Sequence, residues 1–513
     1  MAAPFRTECG GVGARRCARR RKTEGDAEIT EQRGTALAVP RCSVEMRQIF
    51  FRLAIFVCPR YNESMGREIT VKEFKRCMQC GLGRCAIALQ STENKEKYRK
   101  VLLWGCTHPL TRFIALDGTR SCYLYELLQQ FGDKEYFLQP ILTAFESCTS
   151  ARYPLFAQLC DLLALFAEDG YGEAAAALEN SYAALLGKAF EKGAVSGVYQ
   201  CLDYLCVDFF ELKGESAVWR SAEELARLFS AKPRAKAHLG WYLFRIADCR
   251  GGKLLSALEK AGKGNAMLGA FVKAVKDSGR VPQSRGEEEE SGRAEKALTH
   301  LQRACTQGEN YREKDLLQIQ LRANRAQGEV FARLIRAEQS EQRKARLIGS
   351  LTEENNALSA SELFAYTSST DRSLKDAAYA AIASLKIEGR RAFAQQRIAA
   401  GQDLPYAAAL LAGEYENEDK DAFLRALYAA DNHTAHWVFS KILDAVIQGK
   451  TPLPRETLPY IYENTPCEIC REYAVRALSR RRMADTAMIE EWRFDSSSEI
   501  RDLAESKLRR QKF

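Results

Sequence analysis

The feature that most constrains the fold is a residue pattern that recurs in the last third of the chain. An apolar residue is followed four positions later by Ala and after four more by an aliphatic residue. Three copies also carry a basic residue in second place: Leu374-Lys375, Cys470-Arg471 and Ile500-Arg501. Residues spaced by three and four share one face of an α-helix, so each copy predicts a helix with one buried face.

Two weaker copies without the basic residue complete the series. The five copies begin at Leu374, Leu404, Thr434, Cys470 and Ile500. Intervals of 30, 30, 36 and 30 residues leave room for a second helix and two turns in each repeat. Because such a hairpin cannot bury its apolar face alone, neighbouring hairpins must stack. The pattern therefore predicts an all-α fold, an α-solenoid of antiparallel helical hairpins.

A first helix is also legible before each copy. Polar capping residues in the turns, such as Asp371, Asp431 and Asp495, indicate where the second helices begin. The predicted first helices are Glu362 to Thr367, Arg390 to Ala400, Asp421 to Ala429, Arg455 to Tyr462 and Thr486 to Trp492.

The spacing resembles that of the HEAT-like helical repeat family over residues 360–513, with Cys470-Arg471 and Ile500-Arg501 the best matches. The resemblance implies a HEAT/armadillo-like superhelix whose concave face binds another macromolecule. In that family the basic residue of the second helix usually braces the neighbouring repeat. Lys375, Arg471 and Arg501 are the matching positions, and ligand contact is the alternative role for them.

The remainder of the chain divides by composition. Helical apolar periodicity and Gly-terminated helices, as at Gly132, Gly170 and Gly187, fill the N-terminal half. The Thr70 to Glu73 segment reads as a capping box. The predicted divisions are a disordered or mis-annotated basic segment 1–64, a helical domain 65–276, an acidic Gly/Ser linker 277–293, polar connecting helices 294–350 and the repeat domain 351–513.

Charge and cysteine content narrow the class of protein. The net charge of +9 includes +5 from residues 1–64, so the rest of the chain is nearly balanced and indicates no particular partner. The 17 cysteines are scattered through apolar helical stretches, which favours a reducing cytoplasm. The best apolar run, Ile49 to Cys58, contains Arg52 and is too short to span a membrane.

One cysteine cluster has the residue types of a metal site. Cys77, Cys80 and Cys85 form a weak candidate for zinc, since Cys-x-x-Cys spacing is common among zinc ligands. The favoured alternative is buried thiols, because Cys77 and Cys80 lie on a predicted amphipathic helix that ends at Gly81. No cofactor is predicted.

Two further sets are candidates for binding. His108, Arg120 and Tyr125 flank a loop between helices, where recognition residues often lie, although helix termination explains them as well. On a helical wheel of residues 322–343, one face carries a stripe of arginines. Such a stripe can bind the phosphates of a nucleic acid or simply form a solvent-exposed face. The stripe consists of Arg322, Arg325, Arg333, Arg336 and Arg343.

No HExxH, GxSxG, Walker or dinucleotide motif is present in the sequence, so it predicts no enzyme. The leading hypothesis is a non-enzymatic cytoplasmic scaffold or adaptor that binds another protein through a curved helical surface. The alternatives are a HEAT-like nucleic-acid-binding protein that uses the arginine stripe and an enzyme on a HEAT-like frame. Neither a membrane nor a small-molecule substrate is expected.

Overall fold

Helices account for all the regular secondary structure in the described part of the chain. The computed structural model describes residues 68–91, 95–110, 120–148, 153–191, 197–202, 204–205, 215–232, 253–279, 287–431, 434–448 and 452–511. Within those ranges no residue lies in a β-strand, so the predicted all-α class is confirmed for them. The expected basic segment 1–64 lies outside the described residues.

The chain divides into two units, and one of them holds the middle of the sequence. This middle unit comprises the described residues between 287 and 465. Its helices are α11 (Glu287–Gln307), α12 (Glu313–Arg322), α13 (Arg325–Ala337), α14 (Glu341–Ile348), α15 (Ala360–Tyr366), α16 (Arg372–Ser384), α17 (Arg390–Ala399), α18 (Leu404–Ala412), α19 (Lys420–Tyr428), α20 (Ala435–Ile447) and α21 (Thr457–Asn464).

The other unit combines the two ends of the sequence, residues 68–279 and 466–511. We call it the terminal unit. Its helices are α1 (Val71–Cys80), α2 (Arg84–Ser91), α3 (Arg99–Thr107), α4 (Arg120–Gln129), α5 (Glu135–Glu146), α6 (Tyr153–Glu168), α7 (Gly172–Phe190), α8 (Glu215–Ala231), α9 (Lys253–Gly262), α10 (Ala266–Gly279), α22 (Glu468–Arg480), α23 (Thr486–Trp492) and α24 (Ser498–Gln511).

The ten helices predicted from the repeat are all present, as α15 to α24. Within the units, α15 packs against α16, α17 against α18, and α23 against α24. The Ala positions of the pattern are fully buried at Ala378, Ala408, Ala474 and Ala504. Leu508, the last aliphatic position, is only half-buried. In the middle unit α14 contacts α16, α16 contacts α18, and α18 contacts α20. Small side chains at these positions let the helices approach closely.

Residues 294–350 are more than connecting helices. Helices α11 to α14 belong to the middle unit and bury large apolar side chains, among them Leu301, Ile319, Phe331 and Leu347. Residues 287–293 of the expected linker are already helical, as the start of α11. The expected repeat domain 351–513 is itself divided between the two units at residue 465. The many charged residues on the exposed faces made these helices look polar in sequence, although each has an apolar face.

The terminal unit depends on close contact between a loop and a distant turn. Helix α1 starts with the predicted capping box at Thr70 and ends at Gly81, whose φ is +75°. The carbonyl of Gly81 accepts a hydrogen bond from the Ser496 N–H at 2.9 Å. A Cβ at Gly81 would lie 2.3 Å from Ser496 Oγ, and one at Gly83 would lie 2.0 Å from the Glu491 carbonyl oxygen. Glycine is required at both positions because only it leaves room for these neighbours.

Buried charges reinforce that contact. Arg471 and Asp495 are fully buried and form an ion pair at 2.8 Å, and Arg471 also donates to Ser496 Oγ at 2.7 Å. Arg84 pairs with the buried Glu491 at 2.8 Å. Loss of one partner from such a pair leaves an uncompensated buried charge, which costs about 3–5 kcal/mol.

Two of the three helix ends predicted at glycines are observed and one is wrong. Gly187 lies inside α7, so the helix end predicted there is wrong, while Gly132 and Gly170 do adopt positive φ. The alanine-rich segment before Gly187 sustains the helix through the glycine at a cost of about 1 kcal/mol.

None of the described helices is both long and apolar enough to cross a membrane.

The buried alanines give a direct test of the repeat positions. Ala474→Asp places a carboxylate where the side chain is fully buried, so we expect a loss of about 3 kcal/mol or more in the free energy of unfolding. Ser506→Asp, at an exposed position on α24, is the control and should change stability by less than about 0.5 kcal/mol. Urea unfolding measures both. Equal stability of the two variants would show that Ala474 is misplaced.

Candidate protein-interaction surface

Three aromatic rings follow one another across consecutive second helices of the middle unit. Tyr379 of α16 stacks on Tyr406 of α18 with ring centroids 4.5 Å apart, and Tyr406 contacts Trp437 of α20 at 5.3 Å. We call these three residues the aromatic ladder. Tyr379 is fully buried, whereas Tyr406 and Trp437 are half-buried. The ladder therefore begins in the core and ends at the surface.

Polar contacts between neighbouring hairpins fix the ladder. Asp403, in the turn before α18, accepts a hydrogen bond from the Tyr379 hydroxyl at 2.9 Å. Its carboxylate also forms an ion pair with Lys375 Nζ at 3.0 Å. The Tyr406 hydroxyl donates in return to Asp376 of α16. Burial and the adjacent carboxylates raise the pKa of both tyrosines, so both hydroxyls stay protonated and donate. Each ring is thus held by the hairpin next to its own.

Asp403 has an unusual backbone conformation. Its φ is +49°, in the left-handed region that residues with a Cβ rarely adopt, although Asp tolerates it better than most. Such a conformation persists where surrounding contacts over-determine it. Here the contacts are those with Lys375 and Tyr379, which hold the carboxylate between two hairpins.

Trp437 is the half-buried end of the ladder that reaches the surface. Among the described residues no acceptor binds its indole N–H, which leaves this donor available to a partner. Beside the ladder, Arg372 is exposed and lies 3.8 Å from Asp376. The surface therefore combines a large apolar ring, a free donor and an exposed guanidinium. Trp, Tyr and Arg are the residues that carry most binding energy in protein interfaces.

The three basic residues assigned to bracing each contact another part of the chain. Lys375 reaches the turn of the next hairpin through Asp403. Arg471 of α22 pairs with Asp495 in the turn before α24. Arg501 of α24 binds both carboxylate oxygens of Glu126 on α4, at 2.8 and 2.9 Å. A bracing role remains a proposal, and these contacts support it.

The arginine stripe does not run along one helix. Arg322 ends α12, and Arg343 lies in α14, so only three members share α13. Asn324 forms a capping box that starts α13, and Ser340 caps α14, so the chain changes direction twice between Arg322 and Arg343. A single helical wheel therefore does not describe residues 322–343, and the five arginines are distributed over three separate helices.

Some members of the stripe are engaged with carboxylates. Arg336 pairs with Glu362 at 2.6 Å, and Arg343 pairs with Glu338 at 2.9 Å. Arg325 and Arg333 are exposed on α13. The hydrogen bond from Arg336, aided by bonds from Ser359, lowers the pKa of Glu362 to about 2. Of the three stripe arginines on α13, one is therefore paired within the unit and two are exposed.

The loop residues His108, Arg120 and Tyr125 do not form one surface. His108 is exposed and stacks on Trp104 at 4.8 Å, with Lys75 Nζ 3.6 Å from the Trp104 ring centroid. Arg120 is buried and donates to the carbonyls of Met78, Gln79 and Cys80 at the end of α1. Tyr125 is buried and donates to Asp169 at 2.5 Å. Arg120 and Tyr125 thus have contacts typical of structural residues.

The cysteines of the weak metal candidate are buried in the terminal unit. The Sγ atoms of Cys77, Cys80 and Cys85 do not all lie within 4.8 Å of one another. Burial raises the pKa of Cys77 to about 12 and also raises those of Cys80 and Cys85. Protonated thiols in apolar surroundings match the alternative favoured by the sequence.

Sequence reasoning did not identify Tyr406 and Trp437. A signal was present, because each is the third residue of its second helix, in α18 and α20. The repeat pattern contains Leu404, Ala408, Val438 and Ile442 of those helices, and Tyr406 and Trp437 lie outside it. Their importance follows from contacts between hairpins, which a single helix does not reveal.

Comparison of the chain with protein-family models, with curated proteins and with solved structures gives no match. The residues of this chain are therefore the only guide to its function. The aromatic ladder and the contacts around Asp403 form its basis.

Replacement of Asp403 tests whether it fixes the ladder. Asp403→Ala loses the bonds from Lys375 and Tyr379 and puts Ala in the left-handed region, so we expect a loss of about 2–3 kcal/mol in stability. Asp403→Asn tolerates that conformation and still accepts from Tyr379, so its loss should stay near 1 kcal/mol. Urea unfolding compares the two. Equal losses would contradict a role for the backbone conformation.

The Arg336–Glu362 pair predicts a pH dependence. Because the folded-state pKa of Glu362 is lowered from 4.5 to about 2, its contribution to stability is complete above pH 4.5 and disappears as the pH falls toward 2. Glu362→Gln should therefore cost roughly 1–2 kcal/mol at neutral pH and progressively less below pH 4.5. Unfolding by urea across this range measures the difference. A difference independent of pH would contradict the pairing.

Proposed function

We propose that the protein is a non-enzymatic scaffold that binds another protein through the surface at the end of the aromatic ladder. The observation that carries the proposal is the arrangement of Tyr379, Tyr406 and Trp437, which leads from a buried ring to a half-exposed one. Interface hot spots typically are Trp, Tyr and Arg side chains at well-packed positions. Arg372 adds an exposed cation beside the rings.

Preorganisation favours binding by this surface. Tyr406 is held by its stacking on Tyr379 and by its bond to Asp376, so a partner would not have to order it. Each rotamer-rich side chain immobilised on binding costs about 0.5–1.5 kcal/mol, and a ring that is already fixed avoids most of that cost. Trp437 packs against Tyr406 and shares this advantage.

We further propose a HEAT-like arrangement of the helical hairpins and a cytoplasmic location. The succession of contacts from α14 through α16 and α18 to α20 supports the first, as does the link from Lys375 to the next hairpin. Buried thiols that form no disulfide, such as Cys77, Cys85 and Cys106, support a reducing compartment.

The proposal is tested by affinity capture from a cytosolic extract with the full chain and quantitative mass spectrometry. Trp437→Ala should lower recovery of a salt-resistant, nuclease-resistant protein partner by more than about tenfold. Arg372→Glu should also lower it, and since Arg372 is exposed it should leave the thermal midpoint unchanged.

Tyr428→Ala is the matched control. Tyr428 is an exposed tyrosine of α19 that lies outside the aromatic ladder, so its replacement should leave recovery intact. If all three variants recover the partner as the wild type does, the ladder is not the binding surface. Recovery that disappears with nuclease or high salt would contradict a protein partner.

A further inference from the structure

A cluster of cations lies at the carboxyl ends of two neighbouring helices in the terminal unit. Helix α22 ends in Arg480, and Arg481 and Arg482 follow it. The last turns of α24 carry Lys507 and Arg510. We call these five residues the basic patch. Lys507 Nζ donates to the Ser479 carbonyl at 3.4 Å, which places the end of α24 beside the end of α22.

The charges of the basic patch are not neutralised. Arg480, Arg481, Arg482 and Arg510 are exposed, and within the described residues none of their guanidinium groups has a hydrogen bond or an ion pair. Cations in the last turn of a helix do interact favourably with its dipole, but that effect fades beyond the turn. Arg481 and Arg482 follow the end of α22, so the dipole does not explain the whole set.

The backbone at Arg482 gives a second, independent observation. Its φ is +55°, and the next residue, Met483, donates its N–H to the Leu478 carbonyl at 2.9 Å. Among the described helix ends, the same closing bond occurs at four others, and at each the residue with positive φ is glycine, as this motif prefers. These are Gly81, Gly170, Gly308 and Gly401. In this set of described helix ends, only Arg482 is a residue with a Cβ held in the strained position.

A strained residue retained at an exposed position is a sign of function. A glycine at position 482 would relieve the strain but would remove the guanidinium that follows Arg480 and Arg481 in sequence. On the exposed face of α22, Tyr473 lies two turns before Arg480 and is itself exposed. The patch therefore has cations at one end and an aromatic ring on the adjoining face.

We propose that the basic patch binds the phosphate backbone of a single-stranded nucleic acid, with Tyr473 available for base stacking. Guanidinium groups match phosphate oxygens in a bidentate manner, and exposed aromatic rings beside cations are typical of single-strand binding surfaces. An anionic membrane fits less well, since membrane-surface helices also present large exposed apolar residues. Among the described residues of α22 to α24, Tyr473 is the only exposed large apolar side chain. This activity is separate from protein binding by the ladder.

The experiment measures fluorescence polarisation of a labelled poly(U) RNA of about 20 nucleotides titrated with the full chain. Binding through about four phosphates should weaken on the order of 50-fold as salt rises from about 50 to about 200 mM. Arg480→Glu/Arg481→Glu should reduce the affinity at least tenfold, or about 1.4 kcal/mol. Arg325→Glu/Arg333→Glu, which makes the same change of charge on α13, should leave it within about twofold.

Arg482→Gly separates binding from folding. It should reduce the affinity for the RNA about threefold while raising the thermal midpoint, because glycine relieves the positive φ. A lower midpoint would contradict the argument from strain. Equal losses of affinity in the two double variants would overturn the assignment to the basic patch. Binding to phosphatidylserine vesicles without binding to the RNA would assign the patch to a lipid surface.

Discussion

The interaction on which the rest depends is the burial of one apolar face of each helix pair against the next. The residues at these contacts are small, with alanine at 378 and 408, so that neighbouring backbones approach closely. Close packing of this kind tolerates little change in volume, but it is not very selective about register. Apolar helix faces can slide past one another by a turn at modest cost, so contacts with direction are needed to select one alignment.

Polar contacts supply that direction. Asp403 binds both Lys375 and Tyr379 of the preceding second helix, and a shift of one helical turn would break both bonds. In the terminal unit, Arg471 and Asp495 have the same effect at a fully buried position. Buried ion pairs contribute little net stability compared with apolar residues of similar volume, but they penalise any packing that separates the two charges. Apolar burial stabilises these units, and the charged pairs specify their alignment.

The sequence predicted the helices of the repeat well because each depends on periodicity within one segment, as for Thr486–Trp492, where the prediction and the structure agree at both ends. It did not predict the two units, because the docking of Gly81 and Gly83 against residues of the last helices depends on pairs of residues far apart in the chain. The same reason explains why Tyr406 and Trp437 were missed. A helical wheel also treated residues 322–343 as one helix, whereas the local capping by Asn324 and Ser340 divides them.

The pairing of Arg84 with Glu491 joins residues 407 positions apart. Contacts of such high sequence separation form late, since a long chain must first be brought together. During synthesis, helices α1 to α10 leave the ribosome long before α22 to α24 exist, so Gly81 and Gly83 lack their contacts with Ser496 and Glu491 until those residues have been made. At about 5–20 residues per second, this interval lasts tens of seconds. The terminal unit is therefore completed only once α22 to α24 have been synthesised, and until then the faces of its earlier helices that α22 to α24 cover stay exposed.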